Sequence, residues 1–484
     1  MRGQAGMTGN RISAGVEDPA SAEGGPSDGP TKASYAQQIE NAYQRIGVTS
    51  AHFGVIAMVL FGVFFDAIEQ NTVGIAGPML KAQWGLGGTE IGLLNTATFT
   101  AVALGRVLAG AIMDRVGRRP LLGVNLLVFA AGSLVCALAP NYEVLVGARF
   151  LVGLGLGGEI AIAVIMMSEF FSAKHRGTAV GLINVAAAGL GNMLAPLFGV
   201  IVFAIFSGGE GWRWLFGVLV LPAVAVVVYR RALPETPRFL VAKGRVAEAN
   251  TVLNRLATGK LRGELDSQET YLTEVDTTDE AASQARWTEA FSGRYRRATA
   301  ALGVAVCMSY AAQISMLTLI PVILTERGMS LTSALWYTLV MQSGSLVGAL
   351  TAAGLARRLP RKLTLTSAAV LGVVAGLGFG FFAVNIGLVL LFGFLFNFAV
   401  IILNTTIWLF APEQYPTRIR GLATSVILAI GSLSGGLFPL IAGAVLDNYG
   451  VGAMFGLLTA LFTICAVAVR FPNETLGLPM PEDQ

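Results

Sequence analysis

The chain has 484 residues, 54% of them hydrophobic and only 13% charged, with 33 Lys and Arg against 29 Asp and Glu for a net charge of +4. Soluble domains carry about 25% charged residues, so this composition excludes a disordered chain, a nucleic-acid binder and an ordinary soluble enzyme, and leaves an integral membrane protein. Residues 1–45 are rich in Gly, Ala, Ser and Asp and lack an apolar core. They read as a disordered cytoplasmic tail, neither signal peptide nor helix. Apolar stretches then recur, each close to the roughly 20 residues that a membrane span requires. Twelve spans are expected, at 53–80, 89–113, 120–139, 143–168, 177–203, 212–231, 298–324, 332–356, 363–384, 386–411, 420–446 and 449–470.

The polar segment 232–297 divides the spans six and six. It is expected to form a cytoplasmic linker with short surface helices, one from Arg245 to Leu256, followed by a mobile acidic stretch from Glu264 to Glu280. The organisation is then a tail (1–45), a six-helix bundle (46–231), the linker (232–297), a second six-helix bundle (298–471) and a cytoplasmic tail (472–484). Alternate short loops carry Arg115, Arg118 and Arg119, then Lys174 and Arg176, then Arg357, Arg358, Arg361 and Lys362, then Arg418 and Arg420. The opposite loops offer little beyond Lys81, Arg213 and Arg327. Basic loops stay on the cytoplasmic side, which places that face, the linker and both termini in the cytoplasm and the protein in the plasma (inner) membrane. The dispersed cysteines Cys136, Cys307 and Cys465 and the two histidines, His52 and His175, supply neither a disulfide framework nor metal-ligand spacing. No cofactor or metal is expected.

The halves repeat. Glu169 and Arg176 after the fourth span correspond to Glu413 and Arg420 after the tenth at an offset of 244, and Arg118 corresponds to Arg361 at 243. Two loops agreeing to one residue imply two bundles related by a pseudo-two-fold axis along the membrane normal, with a substrate site between them near mid-membrane. Gly110-x-x-x-Asp114-Arg115-x-Gly117-Arg118-Arg119 resembles the signature loop of the major facilitator superfamily. Arg149-x-x-x-Gly153-x-Gly155-x-Gly157-Gly158-Glu159, Pro234-Glu235-Thr236-Pro237-Arg238-Phe239-Leu240 and Pro412-Glu413-x-Tyr415-Pro416-Thr417-Arg418-x-Arg420-Gly421 resemble its sugar-porter and metabolite:proton symporter branch. The resemblance covers about residues 50–471 and implies an all-α fold of twelve transmembrane helices that works as a monomer by alternating access.

A charge at mid-membrane costs about 2.5–3.5 kcal/mol on the insertion scale, so each one retained needs a pair, water or a function. The first half holds Asp66, Glu69, Arg106, Arg149 and Glu159 inside spans. The second holds none, and Tyr310 and Gln313 stand at the positions of Asp66 and Glu69. That asymmetry suits a proton site in the first bundle. Asp66 and Glu69 share a helix face, and paired carboxylates disfavour double ionisation, which suits proton loading and release. The resemblance of Phe65-Asp66-Ala67-Ile68-Glu69 to a family pattern makes one of these acids the proton carrier and Arg149 its partner; a static ion pair between spans one and four, and cavity-lining acids that only wet the pathway, are the competing readings. Glu159 is read as a second protonatable group or part of a structural network. Arg106 lies eight residues before Asp114, about 12 Å along a helix; its fork suits a substrate carboxylate, and a structural pairing with Asp66 or Glu159 is the alternative.

Asn184, Asn192, Tyr310, Gln313, Gln342, Asn397, Asn404 and Trp408 are polar positions within spans and are expected at the substrate cavity. The resemblance makes Asp114, Arg115, Arg118, Arg119, Glu169, Arg176, Glu235, Arg238, Glu413 and Arg420 a cytoplasmic gate of salt bridges, with the second copy degraded because Arg357 stands where Asp114 stands in the first. The glycines at 153, 155 and 158 mimic a dinucleotide fingerprint, but no strand precedes them; small residues for close helix packing are the better reading. The chain is expected to be a proton-coupled importer of an organic or aromatic acid, with a sugar or polyol symporter, a proton-driven exporter and a non-transporting sensor as alternatives. Sugar porters show Gln-Gln-x-x-Gly-x-Asn in span seven, where this chain has Tyr310-Ala311-Ala312-Gln313-Ile314-Ser315-Met316. No Walker motif or hydrolytic constellation is present, so an enzyme is not expected.

Overall fold

The computed structural model describes residues 34–230, 233–263, 265, 269–273, 287–293, 295–356 and 358–476. The helices are α1 (Tyr35–Ile46), α2 (Ser50–Trp84), α3 (Gly88–Val116), α4 (Arg118–Leu138), α5 (Tyr142–Phe170), α6 (Ala173–Asn184), α7 (Asn192–Ile205), α8 (Gly211–Arg230), α9 (Pro237–Ala242), α10 (Val246–Thr258), α11 (Arg296–Glu326), α12 (Leu331–Leu355), α13 (Arg361–Leu377), α14 (Ile386–Glu413) and α15 (Thr417–Ala468). A wide π-helical turn, Val185–Gly191, joins α6 and α7 into one rod, and a second, Gly378–Phe382, extends α13. Inside α15, Gly450 adopts φ 80° and ψ −177°, a conformation open essentially to glycine. It separates the last two spans. The twelve expected spans are therefore α2, α3, α4, α5, α6–α7, α8, α11, α12, α13, α14 and the two parts of α15, and no strand occurs among the described residues.

The glycines of α5 explain how three helices pack without bulky side chains between them. A Cβ on Gly153 would lie 2.1 Å from the Thr98 carbonyl oxygen of α3, and one on Gly155 would lie 2.6 Å from the Asn125 carbonyl oxygen of α4. In lipid, where helices gain nothing from leaving water, such backbone approach is a main source of association. The two lobes, α2–α8 and α11–α15, meet along α3 and α15, where a Cβ on Gly92 would strike the Pro439 carbonyl at 2.3 Å.

Two expectations change. The N-terminal tail does not remain unstructured to residue 45: α1 begins at Tyr35, is capped by Ser34, and buries Ile39, Ala42 and Tyr43. The spacing i, i+3, i+4 with Ile46 following is a helical stripe, too short to stand out beside membrane spans. Tyr43 donates to the Glu169 carbonyl oxygen at 2.7 Å, and Glu40 accepts from the Ala173 amide at 2.9 Å, so α1 docks beneath the first lobe. Residues 1–33 lie outside the described residues. In the linker, α10 matches the expected helix. Part of the following stretch is fixed rather than mobile: Asn250 accepts from the Tyr271 and Leu272 amides at 2.9 Å, and Asn254 exchanges hydrogen bonds with the Glu269 backbone. Residues 264, 266–268 and 274–280 of that expectation, like 477–484 of the C-terminal tail, lie outside the described residues.

Candidate functional site

Five charged side chains inside the first lobe set the problem, because each must be stabilised away from water. Glu69 on α2 and Arg149 on α5 form an ion pair with both side chains fully buried. Arg149 Nε also donates to Thr98 Oγ1 at 3.0 Å, and the guanidinium sits 5.5 Å from the centroid of the Phe216 ring. Thr72 donates to the Glu69 carbonyl oxygen at 2.6 Å, which holds its hydroxyl beside the pair. One atom on each partner, Glu69 Oε2 and Arg149 Nη2, has no hydrogen bond among the described residues. A buried pair that is only half satisfied is a place where small changes in protonation carry large energetic consequences. The pairing falls on Glu69 rather than Asp66. Asp66 is buried one turn away at 1% exposure, and Glu159 is fully buried on α5.

Between the lobes lies a cavity of about 90 Å³. Seven residues expected there line it: Arg106, Asn184, Asn192, Tyr310, Gln313, Asn404 and Trp408. Their hydrogen bonds form a polar wall. Asn404 donates to Gln313 Oε1 at 2.6 Å, Trp408 donates to the Tyr310 hydroxyl at 3.1 Å, and Asn192 accepts from Asn71 at 2.9 Å. Apolar surface from Phe99, Leu156, Ile160 and Ile314 completes the lining. Ala67 and Gln70 of α2 also face the cavity. The acids at 66 and 69 are absent from its lining, so α2 turns one face to the cavity and Glu69 to Arg149.

Arg106 is the one member of the five charges that lines the cavity. It hydrogen bonds across the lobe interface to the Ser432 hydroxyl, and more weakly to the Leu428 carbonyl oxygen at 3.4 Å. Both partners are neutral, and no ion pair of Arg106 occurs among the described residues. The expected structural pairing with Asp66 or Glu159 is thus not the one observed.

Two expected cavity residues are elsewhere. Gln342 accepts from Ser345 Oγ at 3.1 Å and Asn397 donates to the Gly393 carbonyl oxygen at 2.9 Å, each buried and bonded within its own helix. A span satisfies polar side chains locally when they face packing seams, and composition alone does not tell such a seam from a cavity. Gln70 and Ser432 were missed. Gln70 carries a signal, being polar, mid-span and next in sequence to Glu69, about 100° around the helix; a lone serine such as Ser432 carries none.

On the face bearing the linker, each lobe has its own charge network. In the first, Arg118 contacts Glu169 at 3.2 Å and Asp114 at 3.1 Å. Glu235 accepts from the Arg118 and Arg119 amides, and Thr236 donates to Glu169 at 2.6 Å. In the second, Arg361 contacts Glu413 at 2.9 Å, Glu474 accepts from the Arg361 and Lys362 amides at 2.9 and 3.0 Å, and Thr475 donates to Glu413 at 2.5 Å. The second copy is therefore intact at its centre, although Arg357 itself lies outside the described residues. Arg176 donates to the Ser168 carbonyl oxygen and approaches Glu40 at 3.9 Å; Arg420 donates to the Tyr415 carbonyl oxygen. Arg238 is half-buried, and Arg115 and Arg119 are exposed. The ion pairs seen on this face each stay within one lobe.

Glu474 also gives a pH handle outside the spans. Partial burial pushes its carboxyl up, but four backbone amides overcome this and hold it below the usual carboxylate range. A depressed folded value stabilises the protein above the ordinary carboxylate pKa, and that contribution is lost as pH falls through the folded value. Glu474→Gln is expected to lower the melting temperature at neutral pH, with the gap to the parent closing as the solution is acidified; a gap independent of pH would contradict this.

The opposite face joins the lobes. Lys81, in the last turn of α2, and Glu326, the last residue of α11, form an ion pair between the lobes. Asp447 accepts from the Gly88 and Thr89 amides at 2.8 Å and from the Thr89 hydroxyl at 2.6 Å. These contacts, with Thr96 donating to the Gly436 carbonyl oxygen at 2.6 Å, hold the two lobes together on that side.

Residues 59–439 match the Major Facilitator Superfamily. The niacin transporter NiaP of Acinetobacter baylyi is 28% identical over 439 residues, covering 90% of this chain and 97% of that protein. The gallate transporter of Pseudomonas putida is 29% identical over 418 residues, covering 86% and 90%. Among solved structures, a D-xylose-proton symporter superposes with a TM-score of 0.68 at 18% identity, covering 88% of this chain and 99% of that one, a likeness of fold.

Proposed function

We propose, from the premise that this chain belongs to the Major Facilitator Superfamily, that it is a proton-coupled symporter importing a small organic or aromatic acid across the inner membrane. The chain is a multi-pass membrane protein with the helical architecture of secondary transporters. The observation that carries the substrate reading is Arg106: a guanidinium at the cavity with neutral partners, beside the aromatic rings of Phe99, Tyr310 and Trp408. A carboxylate bound there gains a charge-assisted, bidentate contact, and the rings offer a flat apolar companion. Relatives named for niacin and gallate and a probable 4-methylmuconolactone transporter, at 27–29% identity, agree with that class, and a D-xylose transporter at 26% identity keeps a sugar as the second reading.

Proton coupling rests on Glu69 and Arg149. With Glu69 ionised, the pair ties α2 to α5. A proton on Glu69 dissolves the pair and leaves the Arg149 cation with Thr98, Thr72 and the Phe216 face. Breaking a buried pair costs about 3–5 kcal/mol, so the protonated state favours whichever arrangement of the lobes offers Arg149 more compensation. Gln70 stands in the cavity wall next to Glu69, and Leu156 and Ile160 do so on the helix of Arg149. Substrate and proton thus act on the same two helices. With the termini and linker in the cytoplasm, the side on which basic loops are retained, the face where Lys81, Glu326 and Asp447 join the lobes is periplasmic. The working unit is the monomer, because the cavity is completed by the two lobes of one chain.

Uptake into proteoliposomes tests the reading. Nicotinate or gallate is expected to accumulate against its gradient when the outside is acidic, and xylose is not. Accumulation of xylose alone, or uptake indifferent to the proton gradient, would contradict it.

A further inference from the structure

Away from the transport cavity, an open groove of about 830 Å³ runs between the start of α11 and the end of α15. Ala300, Ala301 and Ala468 line it, and their small side chains keep it deep. Its flanks are apolar and exposed: Val304 at 40%, Ile464 at 46%, Val467 at 56% and Phe471 at 65%. Such surface in a membrane span faces hydrocarbon. Arg297 stands at the mouth, where the spans leave the membrane on the linker side. It is exposed, as are Arg296 and Arg470 on the same edge, and none of the three forms an ion pair among the described residues. From Arg297 to Val304 the groove rises seven residues, about 10 Å, well within one leaflet of a core about 30 Å thick.

We propose that this groove holds an anionic phospholipid, its phosphate at Arg297 and one acyl chain lying over Ala300, Ala301 and Ala468. Charge complementarity selects the occupant. A slot that is apolar apart from Thr463, whose hydroxyl is turned to the Thr459 carbonyl oxygen at 2.9 Å, and that carries positive charge only at its interfacial end matches a lipid with a negative headgroup, and basic residues at the cytoplasmic boundary bind such headgroups. A soluble anion would leave the apolar flanks uncovered. The proposal needs only that α11 and α15 cross a membrane; it is independent of the substrate and of proton coupling, so the transport reading can fail without it.

The test is native mass spectrometry of the full chain released from micelles doped with equal phosphatidylglycerol and phosphatidylcholine. The parent protein is expected to retain phosphatidylglycerol in preference. Arg297→Gln, a change at an exposed position, is expected to reduce that retention about five-fold, the effect of one basic residue near a membrane surface; Arg297→Lys should preserve it. Ala301→Trp, which fills the slot, should reduce retention of both lipids. Equal retention of the two lipids by the parent would overturn the proposal, and so would undiminished phosphatidylglycerol on Arg297→Gln. A shift of Ala301→Trp to a smaller assembly on size exclusion, with lipid unchanged, would mark the groove as a subunit seam and also overturn it.

Discussion

Glu69→Gln is expected to abolish accumulation of substrate against its gradient while leaving counterflow exchange measurable in the same proteoliposomes. Glutamine keeps the shape and one acceptor toward Arg149 but binds no proton in the relevant range, so the lobes still interchange with substrate bound and the proton no longer drives them. The substitution also leaves a buried cation without its counter-charge, and removing one partner of a buried pair is destabilising by about 3–5 kcal/mol. The double change Glu69→Gln with Arg149→Gln separates the two effects. It should recover thermal stability lost in the single variant, because neither member of the pair is left as an uncompensated charge, yet stay unable to concentrate substrate. Concentrative uptake by either variant would remove Glu69 from the coupling step.

Arg106→Gln is expected to raise the KM for an acid substrate by roughly ten-fold to a hundred-fold, the range set by about 1.5–3 kcal/mol for a hydrogen bond to a charged group. Arg106→Lys should recover part of the loss, since a point charge replaces a planar fork. The contact with Ser432 offers a control. Ser432→Ala removes a link between the lobes but leaves the cation in the cavity, so acid affinity should be close to that of the parent. If Ser432→Ala weakened binding as much as Arg106→Gln, Arg106 would be a strut between lobes and not a substrate contact. An equal loss for a neutral cavity ligand in Arg106→Gln would carry the same message.

Much of this was legible in the chain itself, for identifiable reasons. Spans announce themselves because lipid demands about 20 apolar residues in a row, and the repeat announces itself because both lobes need the same turn chemistry at the same face. Glu69 and Arg149 stood out because charge within a span is expensive. What stayed hidden depended on contacts distant in sequence. The α1 helix buries only a three-residue stripe, so its signal is weak until Glu169 and Ala173 give it a surface. Gln342 and Asn397 have the same composition signature as Asn404, and only packing shows that they serve their own helices. The second charge network was read as degraded because Arg357 replaces an acid; its centre is Arg361, Glu413 and Glu474, and Glu474 sits at the edge of the tail where no span directs attention. The contacts on the opposite face need the packed lobes themselves, which bring Lys81 to Glu326 and Asp447 to the first turn of α3.

In this mechanism, entry of the acid and movement of a proton are one event routed through Glu69. It is tested most directly by recording external pH around lightly buffered proteoliposomes when substrate is added with no imposed gradient. The parent protein is predicted to alkalinise the medium as substrate enters, and Glu69→Gln to give no pH change although substrate exchange persists. Substrate entry through the parent without any proton uptake, or an undiminished proton signal from Glu69→Gln, would show that the two movements are not coupled at Glu69.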